Sequence, residues 1–233
     1  MKITRRRFLH VAGMAGGLTV CSRSAKAEDL GPGTYPLGLD HSRDGLLYVP
    51  TRYRPGVPMP LFVMFHGAGG SAPSCQYTFP MADEFGYLIL APDSRDERTW
   101  DIILGEYGPD VEFLQAAIQQ TFSRCSVDRR SLAIGGHSDG ASYALSFGIG
   151  VGDTFGHIMA FSPGVMNPAQ AKGTPKIFIS HGTGDTVMPI DDTSRTFVPR
   201  LQRLGYDVTY REYDGGHGVP PAVVHEGFTW LVR

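Results

Sequence analysis

The sequence predicts an α/β fold, a mostly parallel β-sheet with helices on both faces. Three observations carry this expectation. Short apolar runs alternate with segments of helical period along nearly the whole chain. The runs at 61–65 and 87–91 are continuously apolar, as in strands buried on both faces. Several runs also end directly in glycine-rich loops bearing a polar residue, at His66-Gly67, Ser138, His181-Gly182 and Gly216-His217. In open α/β sheets, ligands bind at the carboxyl ends of the strands.

Taken in order, the first 27 of the 233 residues read as an export signal rather than as fold. Arg5-Arg6-Arg7 precede Phe8-Leu9, a mildly apolar run covers 11–20, and Ala25-Lys26-Ala27 supplies an A-x-A cleavage site. That layout is a signal peptide of the twin-arginine type. Its implied partner is the twin-arginine export machinery, and its implied destination the bacterial periplasm or exterior. The apolar run is too short and glycine-rich to span a bilayer. Leu18-Thr19-Val20 lacks the small residue expected before a lipidated Cys21. The mature chain is therefore expected to be one domain, 28–233. All six basic residues of 1–27 leave with the signal, so a formal charge of −2 becomes one near −8. Such a surface gives no reason to expect nucleic acid or an anionic membrane as partner. Cys75 and Cys125 remain, either paired in an oxidising compartment or as two buried thiols.

Residues 28–60 are rich in Gly, Pro and Tyr, with one strand-like piece at 45–49 and a proline-rich connection at 53–60. A strand at 61–65 runs into His66-Gly67-Ala68-Gly69-Gly70. A helix is expected over 75–85, interrupted near Pro80 and closed by Gly86, then a strand at 87–91. Residues 94–108 read as a polar loop carrying Trp100 and Tyr107, either a lining for an aromatic pocket or a hydrophobic plug. Asp110 is expected to cap a helix over 111–122, where Val111, Leu114, Ala117, Ile118 and Phe122 fall at helical spacing. Strands follow at 132–134, 157–161, 176–180 and 208–213, with helices at 141–147, 193–204 and 221–230. Pro221 suits a first helical turn.

The chemistry concentrates in Gly136-His137-Ser138-Asp139-Gly140, a G-x-S-x-G pentapeptide between a strand and a helix. In that context it is a nucleophile elbow, a turn so tight that the serine is strained and its hydroxyl stands above the sheet. Glycines two residues to either side let strand and helix approach without a colliding Cβ. Ser138, Asp185 and His217 follow strands in the order nucleophile, acid, histidine, 47 and then 32 residues apart.

With these residues the chain resembles serine hydrolases of the α/β-hydrolase family from about residue 61 onward. The loops at His66–Gly70 and around Ser138 are similar to those of lidless carboxylesterases, feruloyl esterases and polyhydroxyalkanoate depolymerase-like esterases. The resemblance implies Ser138 as nucleophile, His217 as base and Asp185 as its orienting acid. It implies an oxyanion hole made by the backbone N–H groups of Asp139 and Ala68. Asp191, Asp192 and His225 are rivals for the acid and base, read as solvated residues before and within helices. His66 and His181 are expected to orient loops, and the His137 side chain to point into the scaffold. No cofactor is implied, and no histidine or cysteine spacing suggests a metal.

The expected activity is an exported serine esterase acting on a small-molecule or polymer-borne ester with a short or aromatic acyl group. Alternatives are a small peptidase or thioesterase using the same triad, and a hydrolase-fold protein that only binds. The connection 162–175 holds Pro163, Pro168 and Pro175 and is too short for a helical flap, so no cap domain is expected.

Overall fold

The computed structural model describes residues 29–105 and 107–233. The expected export signal, 1–27, lies outside them. The strands are β1 (Gly33–Pro36), β2 (Gly45–Val49), β3 (Met59–Phe65), β4 (Leu88–Pro92), β5 (Val127–His137), β6 (His157–Phe161), β7 (Lys176–Gly182) and β8 (Val208–Tyr213). They form one sheet in the order β1-β2-β4-β3-β5-β6-β7-β8. The β1–β2 and β2–β4 pairs are antiparallel, and every pair from β4 to β8 is parallel. A mostly parallel sheet with an antiparallel edge is the predicted class.

Because both faces are covered, alternate residues of one strand enter different cores. Leu61, Val63 and Phe65 of β3 belong to one core, with Ile134, Ile158, Ile177 and Ile179 from neighbouring strands. It is closed by helices α3 (Pro109–Arg124), α4 (Asp139–Gly150) and α5 (Ser194–Arg203), through Leu114, Ala117, Leu145, Val198 and Leu201. Phe62 and Met64 point the other way, joining Ile89, Met159 and Phe178. A 3-10 turn (Ala72–Thr78), α1 (Phe79–Phe85) and α6 (Pro221–Leu231) close that face, through Cys75, Phe79, Val224 and Phe228. Burying a side chain such as Phe228 contributes about 2–3 kcal/mol. Helix α4 is buried along its whole length, which explains its near absence of charge.

Several boundaries differ from the sequence reading. Strand β1, hidden in a Gly/Pro-rich stretch, was not expected; it sits on an edge, and Pro36 pairs with Leu46 while the next amide, Leu37 N, donates to Gly45 O. β5 begins before Leu132 and runs through Arg129 and Arg130, because its first residues are exposed beyond the helices. Pro80 does not interrupt a helix. It lies in the first turn of α1, where a missing N–H costs nothing, and the break falls one step earlier at the end of the 3-10 turn. The loop at 94–108 contains a short helix, α2 (Asp101–Leu104). Asp110 lies inside α3, whose N-cap is Gly108, and its buried carboxylate serves the neighbouring loop instead. Cys75 and Cys125 belong to cores on opposite faces of the sheet and are free thiols, so the disulfide alternative falls.

The β5–α4 turn is the tightest point of the fold. Ser138 has φ 58° and ψ −123°, a conformation that costs an L-residue of order 1–3 kcal/mol. A Cβ on Gly136 would lie 2.2 Å from the carbonyl carbon of Gly140, and one on Gly140 would lie 2.2 Å from the Phe65 oxygen. Both obstacles are backbone, so neither can swing aside. Gly140→Ala should therefore destabilise the chain by more than about 3 kcal/mol. Ser138→Gly, which removes the strained Cβ, should stabilise it by about 1 kcal/mol. Urea midpoints of the two variants test this, and equal midpoints would show that the turn carries no strain.

Candidate active site

Four strand ends deliver the candidate residues to one edge. Ser138 follows β5, Asp185 follows β7, His217 follows β8, and the His66–Gly70 loop follows β3. His217 Nε2 lies 2.8 Å from Ser138 Oγ, and its Nδ1 lies 2.7 Å from Asp185 Oδ2. Beside a carboxylate, Nδ1 carries the proton and donates, which leaves Nε2 free to accept from the serine hydroxyl. The three residues thus form one hydrogen-bonded chain. The rivals stand elsewhere: Asp191 is exposed and paired with Arg195, Asp192 is exposed, and His225 pairs with Glu84 on the surface.

Asp185 is buried yet well supplied with donors. Val187 N and Met188 N each donate to Oδ1 at 2.9 Å. His217 and His181 both approach Oδ2, the latter at 3.1 Å. Burial alone would raise this carboxyl. The hydrogen bonds from His217, Met188 and Val187 outweigh burial and hold it below the usual aspartate range. His181 Nε2 also faces Met188 O at 2.8 Å, so that nitrogen is the protonated one, and Nδ1 accepts from Ser194 Oγ at 2.7 Å. Burial keeps His181 neutral by lowering its pKa. The sequence reading gave it a loop-orienting role; it also touches the acid directly.

His137 differs from expectation. Its Nε2 bonds His217 O at 2.7 Å and its ring lies 4.9 Å from that of His217, so it props the histidine loop and borders the cavity. The cavity, about 380 Å³, is walled by Gly67, Ala68, Tyr77, Ser138, Val187 and His217, among others. Tyr77 and Val187 are exposed apolar residues at its rim. Trp100 and Tyr107 do not line it. Trp100 is a plug, packed on Phe65 and Tyr143 with Nε1 donating to His66 O at 2.9 Å. Tyr107 packs against Phe147.

The Asp139 amide is the first of α4 and has no acceptor within its helix. Ala68 lines the cavity together with Ser138, in a loop so close that a Cβ on Gly67 would lie 3.3 Å from Ser138 Cβ. Asp139 adjoins Ser138 in the chain, and Ala68 shares the cavity wall with it. Thr99 Oγ1 donates to Asp139 Oδ2, which turns that side chain away toward the 94–108 loop. The sequence reading missed Arg43, whose guanidinium reaches the underside of the His66–Gly70 loop. An arginine among the glycines and aspartates of 38–45 carried no pattern that could have singled it out.

The sequence matches no protein-family profile and no curated protein. Solved structures do resemble it. The Staphylococcus aureus fluorophosphonate-binding serine hydrolase F superposes with a TM-score of 0.65 at 16% identity, over 87% of this chain and 100% of that one. A ferulic acid esterase from Anaeromyces mucronatus, bound to ferulic acid, gives 0.64 at 17% identity, over 80% and 84%. Thermogutta terrifontis esterase 2, phosphonylated by cyclosarin, gives 0.67 at 16% identity, over 87% and 92%. The chain has the α/β-hydrolase fold. The β6–β7 connection, 162–175, contains no helix or strand, and no cap domain stands over Ser138 among the described residues. Among those residues no group of three His, Cys, Asp or Glu is placed to hold a metal, and no helix is long and apolar enough to cross a membrane.

The 94–108 loop is held by two carboxylates, Asp110 buried and Asp101 half-buried. Asp110 accepts from Arg95 N and Asp101 N, and Asp101 accepts from Gly108 N and Asp110 N. Burial, then the charge of Asp110, pushes Asp101 up to about 6, and burial also raises Asp110. A carboxyl raised in the folded state is destabilising once ionised. The penalty is absent below the unfolded value near 4, grows between 4 and 6, and is full above 6. Asp101→Asn keeps a carbonyl acceptor for the two amides and removes the charge. It should raise stability at pH 7 by on the order of 1 kcal/mol, since water still reaches the group, and flatten the pH 4–6 slope. Urea midpoints across pH 4–7 test this; a lower midpoint for the variant at pH 7 would contradict it.

Proposed function

We propose that this chain is an exported serine hydrolase that cleaves carboxylic esters through an acyl-enzyme. The observation that carries the reading is the chain of hydrogen bonds at 2.8 and 2.7 Å from Ser138 through His217 to Asp185, at the wall of an uncapped cavity. A serine hydroxyl becomes nucleophilic only when a base takes its proton as it attacks. His217 Nε2 is in place to accept that proton and return it to the leaving alcohol. Asp185 fixes the tautomer and stabilises the imidazolium. Negative charge then develops on the carbonyl oxygen, and the amides of Asp139 and Ala68 are the proposed donors to it. Water repeats the sequence on the acyl-serine and releases the acid.

The absence of a flap supports small or aromatic acyl groups over long chains, which would lack an apolar wall to repay about 0.8 kcal/mol per methylene. The exposed Tyr77 and Val187 offer flat apolar contact at the rim instead. Ferulic acid bound to one structural neighbour supports the aromatic option, and a cyclosarin adduct of another supports reaction with phosphonyl probes.

A fluorophosphonate probe should label the wild type and not Ser138→Ala. Against p-nitrophenyl and feruloyl esters, Ser138→Ala and His217→Ala should each lower kcat by about 10⁴–10⁶, with the double variant little worse than either. Labelling that survives Ser138→Ala would remove the mechanism. Absence of labelling in the wild type would favour a protein that only binds, and a preference for thioesters or peptides in the panel would favour the corresponding hydrolase.

The export reading rests on Arg5 and Arg6 ahead of the apolar run and on the A-x-A site at 25–27. Changing both arginines to lysine should leave folded, uncleaved precursor in the cytoplasm, as fractionation would detect. Unimpaired export would point to the general secretory route or to a misread signal.

A further inference from the structure

The His66–Gly70 loop is short, glycine-rich and placed where a backbone amide must not wander. Its two ends meet a single side chain that the reaction itself does not use. Arg43 Nη2 donates to Gly70 O at 2.9 Å and lies 3.4 Å from His66 Nε2. The same guanidinium donates to Ser94 Oγ at 3.1 Å and, through Nε, to Ser94 O. Ser94 N in turn donates to His66 Nε2 at 3.0 Å, which places the imidazole proton on Nδ1, 2.8 Å from Gly67 O. Ala68 is the middle residue of the loop so gripped. A planar guanidinium holds Nε and Nη2 in a fixed fork, so Ser94 and Gly70 are gripped in one geometry that an ammonium on a flexible stem does not impose.

The segment that presents Arg43 is itself fixed. Asp40 Oδ1 accepts from Ser42 N at 2.8 Å and from Arg43 N at 3.3 Å. The Asp44 carboxylate accepts from Gly38 N and Leu39 N, and Asp44 O accepts from Asp93 N. The β1–β2 connection is thus tied to the end of β4 before its arginine reaches the loop after β3.

We propose that Arg43 is a positioning residue for the oxyanion hole: it holds both ends of the His66–Gly70 loop so that the Ala68 amide is fixed before charge develops on the substrate. The inference rests on the serine-hydrolase reading and adds to it a component outside the triad. An oxyanion donor is used in the transition state and little in the ground state. Loosening it should therefore lower kcat and leave KM nearly unchanged. Outright loss of one donor costs about 10²–10³ in kcat. A donor merely allowed to wander should cost roughly tenfold to a hundredfold.

The test compares Arg43→Ala and Arg43→Lys with the wild type on p-nitrophenyl acetate, together with hydrogen exchange of the full-length protein over 66–70. Arg43→Ala should show the kcat loss at nearly constant KM and faster exchange in this segment. Added methylguanidinium should restore part of the rate, and Arg43→Lys should fall between. Melting curves establish that each variant is folded, and Arg43→Lys carries the test if Arg43→Ala is not. An unchanged kcat, a loss expressed mainly in KM, or unchanged exchange over 66–70 in a folded variant would overturn the proposal. If the wild type hydrolyses no ester, the serine-hydrolase reading fails, and exchange alone still decides whether Arg43 holds the loop.

Discussion

The structure depends on one close approach, that of the Ser138 turn to the end of β3. The Gly140 backbone lies against the Phe65 and His66 carbonyls with no space for a side chain, and Gly136 lies against Gly140 in the same way. That contact does two things at once. It forces Ser138 into a backbone conformation suited to glycine, which lifts its hydroxyl clear of the sheet. It also brings the His66–Gly70 loop alongside the hydroxyl, because that loop is the direct continuation of β3. Ser138 and the loop facing it are therefore not positioned separately. Strain at Ser138 is sustained because α4 is buried on every side and cannot relax outward.

The remaining candidate residues are held by hydrogen bonds rather than by packing. Asp185 is gripped by two backbone amides and two imidazoles, so its carboxylate has little freedom to rotate away from His217. His137 fixes the far side of the same histidine through its carbonyl. The four histidines His66, His137, His181 and His217 use their two nitrogens differently. His66 carries its proton on Nδ1 and accepts at Nε2; His181 does the reverse. Each pattern follows from which neighbour is an obligate donor and which an obligate acceptor. Satisfied in this way, the buried imidazoles of His66 and His181, whose pKa burial lowers, stiffen the sheet edge without adding charge to it.

Much of this was legible in the sequence, for physical reasons. Central parallel strands must be apolar throughout, so β3, β4, β6 and β7 announced themselves, and their loop-borne Ser138, Asp185 and His217 could be placed at one edge. The G-x-S-x-G glycines were readable because only glycine fits where two backbones touch. The illegible parts depend on tertiary partners. β1 is an edge strand with a mixed face and carries no periodic signal. Asp110 looks like a helix cap until the neighbouring amides of Arg95 and Asp101 claim its carboxylate. Trp100 has the composition of a pocket wall and the environment of a core residue. Arg43 is one arginine in a polar loop, and only the arrangement of acceptors from β3 and β4 gives it a task.

The placement of the two cysteines has a consequence for how the protein can be made. Cys75 and Cys125 lie on opposite sides of a continuous sheet, each in its own apolar core, and burial disfavours the thiolate at both. No rotamer change can bring them together, and neither is poised to capture a foreign thiol. The native state from 29 onward thus offers glutathione, oxidases and disulfide isomerases no accessible thiol at these two positions. The fold of the described residues therefore needs no disulfide and is compatible with reducing and oxidising surroundings alike.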